Sequence, residues 1–193
     1  MALGLSQQVM EGIARMLSRE YGLTLAFHNQ GPMVNIREMR IYLPYMPDGA
    51  GLPKGFIHQL RYWIDHETGH IAEGSSATLK GAVRKKHGQF AATILNVCED
   101  QRVDHARARK YPGFALSWPL TMRKTIVERN IDSDGEWRKQ PLGVQIAHGF
   151  LFKGAGFMYP SYISGEARKI IAPFLDEFMD LSLIHISEPT RPY

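Results

Sequence analysis

His66-Glu67-Thr68-Gly69-His70 decides the reading of this chain. Residues four apart lie on one face of a helix, so both imidazoles can reach a single metal ion. Zinc favours nitrogen ligands of this kind, and a catalytic zinc keeps one position open for water. Glu67 sits between the two ligands and can take a proton from that water. The pentapeptide therefore supplies two ligands and a base, and the expected activity is that of a zinc-dependent hydrolase. Its surroundings fit a helix. Pro53 can open one at the first turn, where its missing N–H costs nothing. Ile57, Leu60, Ile64 and Ile71 follow as an apolar stripe with helical spacing. Glu67 falls on the same stripe, and a carboxylate on an inward face must be paired, metal-linked or in a polar cleft. Gly69 inside the helix costs about 1 kcal/mol relative to Ala, a local rule broken where function is expected to break it.

Two histidines leave a zinc site short of a ligand, and a hydrolytic zinc usually takes a third from the protein. The second constellation is Asn96-Val97-Cys98-Glu99-Asp100-Gln101-Arg102-Val103-Asp104. It falls in a stretch, Gly88 to Lys110, that reads as a helix with Phe90, Ile94, Val97 and Cys98 on its apolar face. Pro112-Gly113 ends it. Glu99 is the first choice for third ligand. Asp100 competes with it, because neighbouring helical residues point in different directions. Asn96, Asp104 and whichever acid is not the ligand would orient the imidazoles. Arg102 can pair with Asp100 or Glu99, or stabilise a developing oxyanion. Cys98 reads as a helical core residue rather than a ligand.

These two segments carry a family resemblance. His66–His70 followed by Asn96 to Gly113 (NVCEDQRVDHARARKYPG) resembles the metallopeptidase-like domain of the CobT-type cobaltochelatase subunit, and phage and bacterial proteins similar to it. The resemblance covers residues 5 to 115. It implies a gluzincin-like zinc site of His66, His70 and Glu99 with Glu67 as base, and zinc as the cofactor. Members of that family often continue into an acidic linker and a von Willebrand A domain. Their subunit works with an ATPase partner during cobalt insertion into a corrin ring. In zincin-like enzymes a strand ahead of the HExxH helix borders the cleft and pairs with an extended substrate. Chain order gives that place to Arg40-Ile41-Tyr42-Leu43, by the general mode of sheet-edge capture; an ordinary internal strand is the other reading of the same residues.

Working outward, the organisation is α+β: a zincin-like (gluzincin-type) domain with a small sheet and an HExxH helix packed on a second ligand-bearing helix. Residues 5 to 21 read as an amphipathic helix with Val9, Ile13, Leu17 and Tyr21 at four-residue spacing, stopped by Gly22. Leu23 to His28, Val34 to Ile36 and Arg40 to Leu43 read as short strands. Asn29 to Pro32 is a turn, and Pro44 to Pro53 a loop. Residues 1–115 form the expected metallopeptidase core, and 116–180 a helical continuation of the same domain. Within the continuation, Trp118, Trp137, Phe150, Phe152, Phe157 and Tyr159 suggest packing. Asp132 to Gly135 is a turn, Val144 to Phe152 a helix carrying a structural His148, and Gly154 to Gly156 a bend. Leu181 to Arg191 resembles the translated sequence of a transposase-type sequencing adapter. Residues 181–193 are therefore expected to be an artefact, with the native chain continuing beyond about Asp180, and His185 is set aside as a ligand.

Composition sets the outer bounds. A chain of 193 residues with 44% hydrophobic and 22% charged residues is of ordinary globular make-up. One cysteine cannot close an intrachain disulfide, which suits a reducing, cytoplasmic setting. No secretory leader and no membrane-spanning run is read. The net charge is +4, and Arg84-Lys85-Lys86-His87 and Arg102 to Lys110 are locally basic. With no nucleic-acid motif and no basic–aromatic repeat, these read as solvated helix ends rather than a nucleic-acid interface. The expected partner is a peptide or protein substrate. The rival expectations are a non-proteolytic subunit that docks an ATPase or von Willebrand A-type partner, and a basic phage protein that binds DNA in a salt-sensitive way.

Overall fold

The computed structural model describes residues 7–19, 22–44, 56–130, 136–137 and 139–178. The chain is α+β and mostly helical, with one three-stranded sheet among the described residues. The readings of Pro53, Tyr21, the loop after Pro44, Asp132 to Gly135 and residues 181–193 fall outside the described residues, as do the side chains of Val9, Leu17 and Ile57. Two compact units divide the chain: Met1–Ala77 with Arg107–Thr121, and Thr78–Ala106 with Met122–Tyr193.

The first unit holds helix α1 (Gln7–Ser18), strands β1 (Thr24–His28), β2 (Met33–Asn35) and β3 (Arg40–Pro44), and helix α2 (Phe56–Ala72). Alternation explains the strands. Leu25 on β1 and Ile41 and Leu43 on β3 point to one face and are buried with Leu23, while their neighbours are less so. From α1 come Met10 and Ala14, from α2 Leu60 and Ile64, and these close a single core over that face. On α1 the buried positions are Met10 and Ala14, whereas Ile13, expected inside, is 37% exposed. The polar contacts of α1 account for this. Arg15 Nε donates to the Leu23 carbonyl at 2.7 Å, and Glu11 Oε1 accepts from the Leu25 amide at 3.2 Å. The face bearing residues 10, 11, 14 and 15 thus meets β1, and Ile13 turns away from it.

Sheet order is β1-β3-β2. β3 runs parallel to β1, with Leu25 opposite Ile41, and antiparallel to β2, with Val34 opposite Ile41. Arg40 to Tyr42 are therefore paired on both sides. The substrate-pairing role considered for Arg40 to Leu43 is corrected here: β3 is the internal strand, and the sheet's edges are β1 and β2.

The second unit contains most of helix α3 (Ala77–Lys110), the later part of α4 (Pro112–Asn130), α5 (Leu142–Gly154) and α6 (Gly165–Ile171). α3 begins well before the helix expected from Gly88. Gly88 is instead a break inside it, with φ 86° and ψ 178°. That region of backbone space is essentially reserved for glycine. Lys80 and Asn96 lie equally far in sequence on either side of Gly88. In one straight helix a separation of 16 residues would span about 24 Å. Instead Lys80 Nζ donates to Asn96 Oδ1 at 2.5 Å. The two arms of α3 therefore fold back on each other as a helical hairpin, with Gly88 at its tip. Phe90, just past the tip, is half exposed rather than on a buried face, whereas Val97 is buried as expected.

Pro112 ends α3 as expected and opens α4 in the same stroke. α5 packs on α6 through Gly149, where a Cβ would stand 2.2 Å from Ile171 Cδ1, so no side chain fits there without moving Ile171. Ser164 caps α6, its Oγ accepting from the Ala167 amide at 3.2 Å. Trp118, Phe150 and Phe152 are buried as expected. Among the described residues no helix is long and apolar enough to cross a membrane.

Candidate metal centre

α2 positions the two histidines. His66 Nε2 and His70 Nε2 stand 3.2 Å apart, with the rings edge to face. Two nitrogens bound at 2.0–2.1 Å to one tetrahedral ion would be roughly 3.3 Å apart, so the pair already has the spacing of a chelate. Ser75, just beyond the end of α2, fixes one ring. Its Oγ lies 2.9 Å from His70 Nδ1. With Nδ1–H donated to that hydroxyl, the lone pair is on Nε2, the nitrogen that faces His66. His66 is held differently: its ring stacks on Tyr62, one turn earlier, with centroids 5.5 Å apart, and Tyr62 stacks in turn on Phe114 of α4 at 5.6 Å.

Beneath this turn of α2 lies a buried polar cluster. Arg107, on the last turns of α3, is fully buried, with Nη2 3.4 Å from Asp65 Oδ1 and 3.5 Å from Thr68 Oγ1. Its guanidinium also lies over the Tyr111 ring, 4.1 Å from the centroid. Arg61 approaches the other Asp65 oxygen at 3.7 Å. Burial pushes the Asp65 carboxyl above its usual range, and the charges of Arg107 and Arg61 counter this only in part. Thr68 Oγ1 donates back to the Ile64 carbonyl at 2.7 Å, one turn up the helix. Lys110 adds a pair with Glu73, 2.7 Å, at the end of α2. A buried ion pair of this kind is weak evidence for net stability. It does tie the residue next to His66 to the C-terminal end of α3.

Glu67 is buried, at 5% exposure, on the same face as Leu60 and Ile64. That is the position the stripe predicts for it.

On the second arm of α3 the two competing acids are held by different partners. Arg102 grips Glu99 with both ends of its fork: Nε to Oε2 at 2.8 Å and Nη2 to Oε1 at 2.6 Å. Asn96 Nδ2 donates to Asp100 Oδ2 at 3.0 Å. Asp104 is buried, at 1% exposure. Within the first unit the metal-competent side chains that come together are His66 and His70. Glu99, the expected third ligand, and its competitor Asp100 both belong to the second unit. Arg102 thus engages both oxygens of Glu99, and Asn96 engages one of Asp100. Cys98 precedes Glu99 in sequence, and its thiol is pushed up to about 11, chiefly by burial, so it does not offer a thiolate.

Several members of this arrangement were not singled out by sequence reasoning: Tyr62, Asp65, Ser75, Lys80 and Arg107. Only Tyr62 carried a readable signal, one helical turn ahead of His66. His148, expected to be structural, has its Nδ1 3.1 Å from the Tyr162 hydroxyl and packs against Trp137.

No family model, no curated protein and no solved structure matches this chain.

Proposed function

We propose that the chain is a zinc-dependent, metallopeptidase-like hydrolase of zincin type, with His66 and His70 as metal ligands, an acid of the Glu99–Asp100 pair as the third, and Glu67 as the general base. The observation that carries the reading is the pair of imidazoles on α2, His66 Nε2 and His70 Nε2 standing 3.2 Å apart. Two imidazoles at chelate spacing, completed by one carboxylate, would make the two-histidine, one-carboxylate set of hydrolytic zinc. Zinc bound there would acidify a water and polarise a substrate carbonyl.

The chain's own groups then divide the work. Ser75 keeps His70 in the tautomer that presents Nε2. Tyr62 holds the His66 ring by stacking. Glu67, next to His66 in sequence, takes the proton of the attacking water and delivers it to the leaving amine. Its burial keeps bulk solvent away from that transfer.

The test is Glu67→Gln in the full chain. Zinc content is expected to be unchanged, while hydrolysis of a peptide library falls by about 10²–10⁴-fold. Hydrolysis that persists in this variant would remove Glu67 from the base role.

A second reading draws on β3. Because β3 is paired on both sides, a peptide cannot add to the strand that the CobT-type resemblance assigns to substrate. That favours a non-proteolytic, metal-stabilised subunit that docks an ATPase or chelatase partner. Zinc bound by a chain that cleaves nothing in the same library would support it over the first.

A further inference from the structure

The second unit carries a groove of its own, of about 320 Å³, bordered by α3, α5 and the end of α6. Helical spacing builds its walls. α3 contributes Phe90, Ile94 and Cys98, each one turn from the next. Ile170, Phe174 and Phe178 repeat that spacing along α6 and the helical turns that follow it. Eight residues of helix run about 12 Å, so each wall is about two turns long. Packing fixes the shape. At the floor, Phe150 of α5 stacks on Phe178 with centroids 4.7 Å apart, and both rings are buried. The Phe90 ring lies against Gly143 of α5, where a Cβ would stand 3.3 Å from Phe90 Cδ2.

Two features say what the groove can hold. Its rim is wet: Phe90 is 49%, Ile170 39% and Phe174 54% exposed, apolar side chains gathered around one cavity rather than scattered. An apolar chain laid over them would be held by the surface it removes from water. The one charged group in the lining is Glu177, exposed beside Phe178, and among the described residues no cation pairs with it. A chain ending in a carboxylate would set like charges together there, and one ending in an ammonium opposite charges. Small-ligand sites of about 300–1,000 Å³ have this make-up, mostly apolar with a few polar groups that fix orientation.

We infer that this groove is a binding site for a small cationic amphiphile, an alkyl chain carrying one ammonium group, with the chain lying over the Phe150–Phe178 stack between Phe90 and Phe174 and the ammonium at Glu177. The site lies wholly within the second unit and stands apart from the metal reading.

The experiment titrates the full chain with octylammonium, octanol and octanoate, which share a chain and differ in the charge of the head, and reads affinity by calorimetry. Octylammonium is expected to bind once per chain and about two- to fivefold more tightly than octanol, the worth of an exposed ion pair, with octanoate weakest. Phe174→Ser strips one wall and is expected to weaken all three ligands by about three- to tenfold, as for part of a phenylalanine's burial. Glu177→Lys is expected to reverse the order, octanoate then exceeding octylammonium. Both side chains are exposed, so the unfolding midpoint of each ligand-free variant is expected to match the wild type. Equal affinity for the three heads would overturn the inference, as would octylammonium binding that survives Phe174→Ser at full strength. An absence of saturable binding would overturn it too. If sedimentation then shows a mass that rises with concentration and falls in Phe174→Ser, the groove is covered by a second copy of the chain instead.

Discussion

Nε2 of His66 and Nε2 of His70 stand 3.2 Å apart, one helical turn from each other on α2. Like lone pairs are not brought this close without a shared proton or a shared ion between them. The His70 ring is already committed at its other nitrogen to Ser75. The pair is thus spaced for a shared proton or a shared ion before the third ligand is considered, and the question becomes which acid on α3 would complete an ion's site.

Asp100 is the acid expected to complete it. Asp100→Ala removes a ligand, so zinc affinity should fall by more than the roughly hundredfold that marks the upper end for orienting residues. Glu99→Ala should stay below that mark, because Glu99 is engaged by Arg102. Chelator competition on the two variants decides it. A larger loss in Glu99→Ala would exchange the two roles.

The choice between these neighbours was open from sequence alone, for a physical reason. Adjacent helical residues differ by about 100° in direction, so a motif cannot say which one faces a given point. The spacing of their partners held a clue. Arg102 is three residues after Glu99, and Asn96 is four before Asp100, both distances at which helical side chains meet. The strands and α2 were legible because burial imposes the alternation of Leu25, Ile41 and Leu43 and the stripe of Leu60 and Ile64. The first arm of α3 was not. Between Ala77 and His87 the chain buries almost nothing, so its basic run looks like solvated surface whether or not it is helical. Nor could chain order reveal that β2 lies on the far side of β3.

Gly88 is where the hairpin is most exposed to a single change. Its φ of 86° with ψ of 178° excludes side chains on backbone grounds, even though a Cβ there would meet nothing within 4 Å. Gly88→Ala should therefore lower stability by about 1–3 kcal/mol in denaturant unfolding, a strain effect rather than a packing one. A neutral substitution would mean that α3 runs on without the reversal.

Cys98 should be a slow nucleophile. Burial, with smaller contributions from the Asp100 and Glu99 charges, lifts its thiol from 9.0 to about 11. In the metal-free protein, alkylation by iodoacetamide should remain slow at pH 8–9 and accelerate only as pH approaches 11. The folded state keeps the proton longer than the unfolded chain does. This group therefore leaves stability unchanged below pH 9 and subtracts from it as pH rises towards 11. Rapid labelling at pH 8 would contradict the half-buried placement.

The most direct test of the metal centre is bound metal per chain, measured by elemental analysis of zinc-supplied protein beside the His66→Ala, His70→Ala double variant. The site predicts about one zinc per chain in the wild type and none in the variant, with both proteins folded. A folded wild-type chain that carries no zinc, or a variant that keeps it, would contradict the account.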